Sequence, residues 1–247
     1  MGALSLSSES IRFPITETKV VVAIPCFNTE DHIAGVVAKT KKYVDEVIVI
    51  DDGSTDMTAE IAVKTGAKVI KHPQNQGYGS ALRSCFEAGR SQDTDILVII
   101  DGDGQHNPDE IPQLLSPIML NEADLVIGSR FIDKKQKMPG YRKFGIGVIT
   151  FLWNIGSKIK VSDTQSGFRA YNQKMIQAML ISENGMGSSI EILEILRKKN
   201  PRISEIPITC LYENNNSHLT TRAIVHGVSV AFSVIKIRFK YAFKKVN

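Results

Sequence analysis

The fold is decided by the stretch ILVIIDGDGQH at residues 96–106, where a run of apolar residues ends in two aspartates. Five consecutive apolar residues followed by a glycine-rich turn are typical of a strand that is buried on both faces. Similar runs recur in the first half of the chain and alternate with segments of helical spacing. Strands are predicted at 19–24, 47–50, 68–71, 96–100 and 125–127, and helices at 31–43, 56–65, 78–90 and 108–120. This alternation predicts an α/β fold with a mostly parallel central sheet and helices on both faces.

The second half of the chain has longer irregular segments between its elements. A charged linker is expected first, then an apolar segment with basic ends, then a loop that enters a strand. These are followed by a helix and an alternating strand. The five segments are 133–143, 144–160, 163–171, 189–199 and 203–209.

The 247 residues are expected to form one main domain with an extension at each end. Residues 1–18 mix Ser, Thr and Glu without periodicity and are predicted to be a loose lead-in. The α/β domain is predicted to cover residues 19–220. Residues 221–247 are predicted to form an amphipathic C-terminal helix, because Phe and Ile fall on one face and Lys on the opposite face.

Basic side chains are concentrated in two segments of the chain. Residues 134–160 and 222–247 together hold thirteen of the 30 Lys and Arg residues and no acid. Such a distribution predicts an anionic surface as a partner. Because these basic residues accompany Phe and Ile rather than polar residues, a membrane is favoured over nucleic acid. The apolar run at 223–235 is shorter than the ~20 residues of a membrane span, so peripheral binding is expected.

Composition excludes several classes of protein. Hydrophobic residues make up 43% of the chain and charged residues 23%, which excludes a disordered or low-complexity protein. The three cysteines lie far apart, which argues against a disulfide scaffold and a structural zinc site. The N-terminus has no signal-peptide pattern. The expected location is therefore the cytoplasm, at the cytosolic face of a membrane.

The two aspartates after the central strand point to a metal ion. Asp101 and Asp103 are one residue apart at a strand end, where ligands of open α/β sheets bind. Two carboxylates so close repel each other, and a cation relieves that repulsion. With the amide oxygen of Gln105 they form a hard ligand set suited to Mg²⁺ or Mn²⁺. A solvated Asp-Gly turn is the alternative interpretation.

Three other predicted strand ends carry polar or glycine-rich sequences. The first strand ends in PCFNTE at 25–30, and the second in Asp51 and Asp52, one of which is free to accept hydrogen bonds from a nucleobase. After the third strand, Gly77 and Gly79 open a helix. Glycines there permit close backbone approach, and a helix N-terminus favours phosphate. Four neighbouring strand ends therefore predict a binding site for a phosphorylated nucleoside.

Taken together, the motifs resemble family 2 glycosyltransferases of the A-type nucleotide-sugar fold. Within that family the chain is most similar to the polyprenyl-phosphate hexose synthases, such as the dolichol-phosphate mannose and glucose synthases. The resemblance runs from residue 20 to about residue 209. Its motifs are PCFNTE, IVIDDGSTD, NQGYGSAL, IIDGDGQHNPDEI, DLVIGSRF and DTQSGFRAY, in that order.

The resemblance implies roles for residues on the donor side. It implies that a nucleoside pocket is lined by Pro25, Phe27 and Glu30 and that Asp52 reads the base. Asp101, Asp103 and Gln105 would hold the divalent metal ion that bridges the diphosphate of the nucleotide sugar.

It also implies roles on the acceptor side. Arg130 and Arg169 would stabilise anionic phosphate groups of the donor or of the acceptor, and Asp163 and Ser166 would close the acceptor site. The ordinary alternatives are a surface ion pair for Arg130 and a cap at a helix end for Asp163.

The implied reaction is an inverting transfer of a hexose from a GDP- or UDP-sugar to a polyprenyl phosphate. A lipid phosphate is already an anion and needs no base, whereas a saccharide or protein hydroxyl acceptor needs one. Glu191 is the candidate base for that alternative. A haloacid-dehalogenase-like phosphohydrolase, which also uses a D-x-D-G motif, is a minor alternative for Asp101.

One loop departs from the pattern of the lipid-phosphate synthases. Those enzymes usually carry a basic R-x-x-G-x-S sequence after the last strand, and this chain has LYENNNSH at 211–218. Ser217 is retained, and His218 is the only residue there that can carry a positive charge. Both are therefore expected to contact the acceptor.

Overall fold

A computed structural model describes residues 18–133, 138–185 and 188–212. Its centre is a seven-stranded sheet with the order β3-β2-β1-β4-β6-β5-β7. The strands are β1 Val20–Cys26, β2 Glu46–Asp51, β3 Lys68–Lys71, β4 Ile96–Ile99, β5 Leu125–Ser129, β6 Arg169–Asn172 and β7 Ile203–Pro207. The helices are α1 Glu30–Thr40, α2 Thr58–Lys64, α3 Tyr78–Ser91, α4 Ile111–Met119, α5 Gly140–Asn154, α6 Gln173–Ala178 and α7 Ser188–Lys199. The predicted strands and helices of the described segments are confirmed, with ends shifted by a few residues.

Strand β6 is antiparallel to its neighbours β4 and β5, and the remaining pairs of neighbouring strands are parallel. The predicted mostly parallel sheet is thus confirmed. Because β6 runs in the opposite direction, its first residue lies at the edge where the parallel strands end. Arg169 is paired there with Ile99 and with Ile127. The topology therefore brings the 163–169 segment to the edge that carries Asp101.

The strands are buried on both faces, as their apolar composition predicts. Along β1 alternate residues enter two different cores, because successive side chains of a strand point to opposite faces. Val22 and Ile24 pack with α1 and α4, whereas Val21 and Ala23 pack with α3 and α7. This packing between two helical layers fixes the sheet and leaves the carboxyl ends of the strands to form a site.

The start of the fourth helical segment is capped by Asn107. The side chain of Asn107 accepts a hydrogen bond from the backbone N–H of Asp109, and Pro108 occupies the first turn. That first turn, Pro108–Glu110, is a 3₁₀ helix, and the α-helix begins only at Ile111. The segment predicted as one helix is therefore two.

Within the described residues, no helix is long and apolar enough to cross a bilayer. Helix α5 instead exposes an apolar face, because Phe144, Phe151 and Ile155 are 75%, 67% and 46% exposed. The predicted lead-in, the predicted C-terminal helix, Ser217 and His218 lie outside the described residues.

Candidate active site

A cleft of about 490 Å³ lies at the carboxyl edge of β1, β2 and β4. It is closed on one side by the start of α3 and on the other by the loop before β6. The cleft brings together eight of the residues that the sequence predicts for the site. They are Pro25, Phe27, Asp52, Gly77, Asp101, Asp103, Ser166 and Arg169. Glu30, Gly79, Gln105, Arg130, Asp163 and Glu191 are not part of its lining.

Asp101 and Asp103 form an acidic pair inside the cleft. Burial raises the pKa of Asp101, and the Tyr78 hydroxyl, 3.4 Å from its Oδ1, opposes that rise together with the positive charge of Arg169. Burial also raises the pKa of Asp103, and the charge of Asp101 adds to this effect. Both carboxylates therefore lie in an environment that a cation would stabilise.

His106 lies beside the acidic pair but brings no positive charge to it. Its Nε2 is 3.7 Å from Oδ2 of Asp101. Burial, together with the charge of Arg130, lowers the pKa of His106 to about 4, so the imidazole is neutral at pH 7. No motif in the sequence indicates a role for this residue.

The third predicted metal ligand lies next to the cleft rather than in it. Gln105 lines a neighbouring groove, and Asp103 lines both the groove and the cleft. The groove also contains Arg142, whose guanidinium lies 5.4 Å from the ring centre of Tyr212. In the described part of the chain, no three His, Cys, Asp or Glu side chains are arranged to hold a metal ion. Two buried carboxylates with raised pKa values suit a cation in charge, and the binding of a divalent ion by Asp101 and Asp103 stays a prediction.

The carboxylate of Asp52 is hydrogen-bonded to other residues of the chain. It accepts hydrogen bonds from the backbone N–H groups of Gln76 at 3.0 Å and of Gly77 at 2.8 Å. Its Oδ1 also lies 2.6 Å from Nδ1 of His72, whose Nε2 is 2.9 Å from the Ser84 hydroxyl. Asp52 therefore holds the turn at Gln76 and Gly77, which forms one side of the cleft. His72 was missed in the sequence, although it directly follows β3 at the same sheet edge.

The side of the cleft that is predicted to bind the nucleoside is lined by Pro25 and Phe27, and the side chain of Phe27 is 44% exposed. Glu30, predicted to line this pocket, faces the neighbouring loop instead. Its Oε2 accepts a hydrogen bond of 2.9 Å from the backbone N–H of Met57. Glu30 thus holds the loop after β2 against the end of β1.

The two glycines before and within the first turn of α3 contact another segment of the chain. The backbone N–H of Gly79 donates to the carbonyl of Asn184 at 2.8 Å. A Cβ at Gly79 would lie 2.2 Å from the Glu183 carbonyl oxygen, and one at Gly77 would lie 2.7 Å from that of Asn184. Close backbone approach is therefore needed here for packing against residues 183–184. Contact with a donor phosphate stays a prediction for both glycines.

Arg130 and Asp163, predicted separately, bind each other. Nε and Nη2 of Arg130 donate to Oδ2 and Oδ1 of Asp163 at 2.7 and 2.9 Å, and Asp163 is fully buried. This bidentate pair ties the end of β5 to the loop before β6. Arg130 therefore forms an ion pair, although the pair is buried rather than at the surface, and a contact of Arg130 with phosphate stays a prediction. The cap considered for Asp163 is replaced by this salt bridge.

Arg169 is a buried cation at the cleft, and its side chain is hydrogen-bonded to Tyr171. Its Nη2 donates to the Thr164 carbonyl at 2.9 Å, and its Nε has no hydrogen-bond partner among the described residues. The side chain lines the cleft close to Asp101. A buried guanidinium with a free donor is costly unless an anion binds it. Ser166, on the same loop, also lines the cleft, and its Oγ accepts from the Phe168 N–H.

Glu191, the candidate base, is buried in the first turn of α7 and makes three hydrogen bonds. Its Oε2 accepts from the N–H groups of Ser182 and Glu183 at 2.8 and 2.9 Å, and its Oε1 accepts from the Ser182 hydroxyl at 2.5 Å. The carboxylate is thus directed at residues 182–183 rather than at the cleft.

The fold and the acidic cleft are those of an A-type glycosyltransferase domain. The chain belongs to glycosyltransferase family 2, since the family model described as "Glycosyl transferase family 2" matches residues 21–180. This membership confirms the predicted class of enzyme over the phosphohydrolase alternative.

Named relatives include two enzymes that act on lipid phosphates. The chain is 29% identical to the UDP-N-acetylglucosamine–dolichyl-phosphate N-acetylglucosaminyltransferase of Methanococcus voltae, over 89% of this chain and 96% of the relative. It is 30% identical to the undecaprenyl-phosphate mannosyltransferase of Micrococcus luteus, over 77% and 83%. These relatives confirm the resemblance to the polyprenyl-phosphate branch of the family.

A solved structure shows the same fold. It is glucosyl-3-phosphoglycerate synthase from Mycobacterium tuberculosis in complex with Mn²⁺ and UDP-glucose, with a TM-score of 0.65 and 22% identity. The match covers 88% of this chain and 79% of the other. The predicted A-type fold is therefore confirmed.

Proposed function

We propose that the protein transfers a hexose from a GDP- or UDP-sugar to a polyprenyl phosphate, with inversion at the anomeric carbon. The observation that carries the proposal is the position of Asp103, which lines both the cleft and the groove that contains Arg142. One acidic residue thus lies where a donor diphosphate and an acceptor phosphate would meet.

The donor would occupy the cleft with its nucleoside against Pro25 and Phe27 and its diphosphate toward the acidic pair. Asp101 and Asp103 would hold Mg²⁺ or Mn²⁺, which neutralises the charge that develops on a leaving diphosphate. The guanidinium of Arg169, which lines the cleft, would place positive charge beside the same anion. A fold neighbour solved with Mn²⁺ and UDP-glucose supports this arrangement.

The acceptor phosphate would lie in the adjoining groove, beside the guanidinium of Arg142. It is an anion near neutral pH and can attack the anomeric carbon without a base, so the residues need only orient it. Attack from the side opposite the diphosphate inverts the configuration. The hydroxyl-acceptor alternative requires a free base, and Glu191 already accepts three hydrogen bonds.

Helix α5 would place this groove at a membrane surface. Tyr141 and Arg142 at its start line the groove, while Phe144 and Phe151 on the same helix are exposed. Residues seven apart share a helix face, so these two rings form one apolar stripe, and the exposed Ile155 follows directly after the helix ends. Lys143 and Lys158 lie at its two ends, as expected for peripheral binding to anionic lipid. We place the protein at the cytosolic face of a membrane, with the predicted C-terminal helix as a second contact.

The test is a transfer assay with radiolabelled GDP- and UDP-hexoses, undecaprenyl phosphate in detergent micelles, and Mn²⁺. Label extracted into organic solvent as an acid-labile lipid product is the expected result. Label recovered in a saccharide or a protein with none in the lipid would contradict the proposed acceptor. Label released as free sugar phosphate would contradict the proposed reaction.

A further inference from the structure

Residues 181–184, between α6 and α7, cover the start of α3. They pack so closely that only glycine fits at positions 77 and 79. The start of α3 also forms part of the cleft, because Gly77 and Tyr78 line the cleft. The Tyr78 hydroxyl also contacts Asp101 at 3.4 Å. A displacement of residues 181–184 would therefore move a wall of the cleft.

Arg83 fastens this segment from α3. Its Nε donates to the Ile181 carbonyl at 2.8 Å, and its Nη2 donates to the Ser182 carbonyl at 3.1 Å and to Oδ1 of Asn184 at 2.6 Å. Three acceptors on three residues of one segment leave it little freedom relative to α3.

Glu191 fastens the same segment from α7. It accepts from the Ser182 and Glu183 N–H groups and from the Ser182 hydroxyl, and it is 5% exposed. Charged acceptors of backbone N–H groups form stronger hydrogen bonds than neutral ones. These three hydrogen bonds explain why a carboxylate is buried at position 191, and no proton-transfer role is needed to explain it.

We propose that Glu191 is a positioning residue of the donor site. With Arg83 it holds residues 181–184 on Gly77 and Gly79, which sets the cleft wall formed by Gly77 and Tyr78, and it takes no proton during the reaction. The inference depends on the donor cleft of the proposed function. It assigns Glu191 to donor binding and removes it from the chemical step.

The variants Glu191→Gln and Glu191→Ala separate positioning from general base catalysis. In glutamine, Oε1 can accept from both N–H groups while Nε2 donates to the Ser182 hydroxyl. Glu191→Gln is therefore expected to keep kcat and the donor KM within about threefold of the wild type, whereas Glu191→Ala raises the donor KM about tenfold, as loss of several hydrogen bonds predicts. If Glu191→Gln lowers kcat about a hundredfold or more and leaves the donor KM unchanged, Glu191 is a base and the inference is wrong.

A second variant tests the segment without altering Glu191. Arg83→Met is expected to raise the donor KM in the same direction as Glu191→Ala, with a smaller change in kcat. Arg90→Met is the matched control, since Arg90 is on the same helix and binds the Ile176 and Met179 carbonyls, outside the segment. Equal donor KM values for the two arginine variants would overturn the inference.

Direct titration of the nucleotide sugar, without acceptor, separates this inference from the proposed function. A wild-type chain that binds donor but transfers nothing to lipid phosphate would contradict the proposed acceptor. The donor affinities of the Glu191 and Arg83 variants would still decide the role of Glu191. Unchanged donor affinity in both Glu191→Ala and Arg83→Met would contradict the positioning role of Glu191.

Discussion

Gly167 lies directly against the carboxylate of Asp101. A Cβ at position 167 would be 2.2 Å from Oδ2 and 2.7 Å from Cγ of that residue. The glycine is followed by Phe168 and Arg169, so one short loop supplies both the space for the acid and the cation beside it. The position of Asp101 is therefore set by the loop before β6 as well as by its own strand.

Gly167→Ala is expected to displace Asp101 and to lower kcat/KM for transfer about a hundredfold, the cost of a misplacement of about 1 Å. Gly35→Ala is the control, because nothing lies within 4 Å of a Cβ at that exposed helical position. The measurement is steady-state kinetics of both variants with circular dichroism to verify folding. Wild-type kinetics for Gly167→Ala would show that the contact does not position Asp101.

Asp101→Asn and Asp103→Asn are expected to abolish transfer while leaving the unfolding temperature equal to or above that of the wild type. The reason is that burial raises the pKa of both acids and the charge of Asp101 raises the pKa of Asp103 further, so removing either charge relieves a cost in the protein without metal. Differential scanning fluorimetry without divalent ions measures this effect. A large fall in unfolding temperature would assign the pair a structural role. Glu87→Gln, on the exposed side of α3, controls for loss of surface charge.

The exposed aromatic residues of α5 are expected to contribute to membrane binding. The double variant Phe144→Ser/Phe151→Ser is expected to weaken co-sedimentation with anionic vesicles about tenfold or more, since each buried ring contributes about 1.5–3 kcal/mol. Leu120→Ser is the control, because Leu120 is 64% exposed at the end of α4. Equal sedimentation of the double variant and the control would remove α5 from the membrane contact.

The hydrogen bonds of Asp124 are expected to make the free energy of unfolding depend on pH. Hydrogen bonds from Arg202 lower its pKa, and Asn172 donates to the same carboxylate. Because the pKa is lower in the folded state, this stabilisation is present above the unfolded-state value of about 3.9 and is lost as pH falls through the folded-state pKa. Asp124→Asn is therefore expected to reduce the free energy of unfolding by about 2 kcal/mol at pH 7, with the difference shrinking toward acid. Urea titrations at pH 7 and below pH 4 measure it, and a difference independent of pH would contradict the assignment.

Much of the site follows from the sequence because parallel strands end at one edge. The polar sequences after β1, β2 and β4 could be assigned to a common site without coordinates. Pro25, Asp52 and Asp101 indeed line one cleft. The family resemblance then supplied the class of reaction.

The partners of the buried charges could not be predicted in this way. Arg130 and Asp163 were named separately, but their salt bridge depends on β6 being inserted antiparallel between β4 and β5. Likewise the hydrogen bonds of Glu191 join it to a loop that has no periodic signal. Periodicity reports which face is buried and does not report which charged groups meet there.

Arg142 shows the same limit for the acceptor side. The sequence placed it among the basic residues at 134–160, and the structure distinguishes it from them by its position in the groove next to Asp103. Its neighbour Tyr212 is about seventy residues away in the chain. Such contacts depend on the chain path and leave no local pattern.

The central claim is that Asp101 and Asp103 bind a divalent cation together with the diphosphate of the donor. A crystal soaked with Mn²⁺ and a nucleoside diphosphate, with anomalous data collected at the manganese edge, tests it most directly. The account predicts one anomalous peak bonded to both carboxylates and to oxygens of the diphosphate. A nucleotide bound in the cleft with no manganese at the two acids, or manganese bound elsewhere, would contradict it.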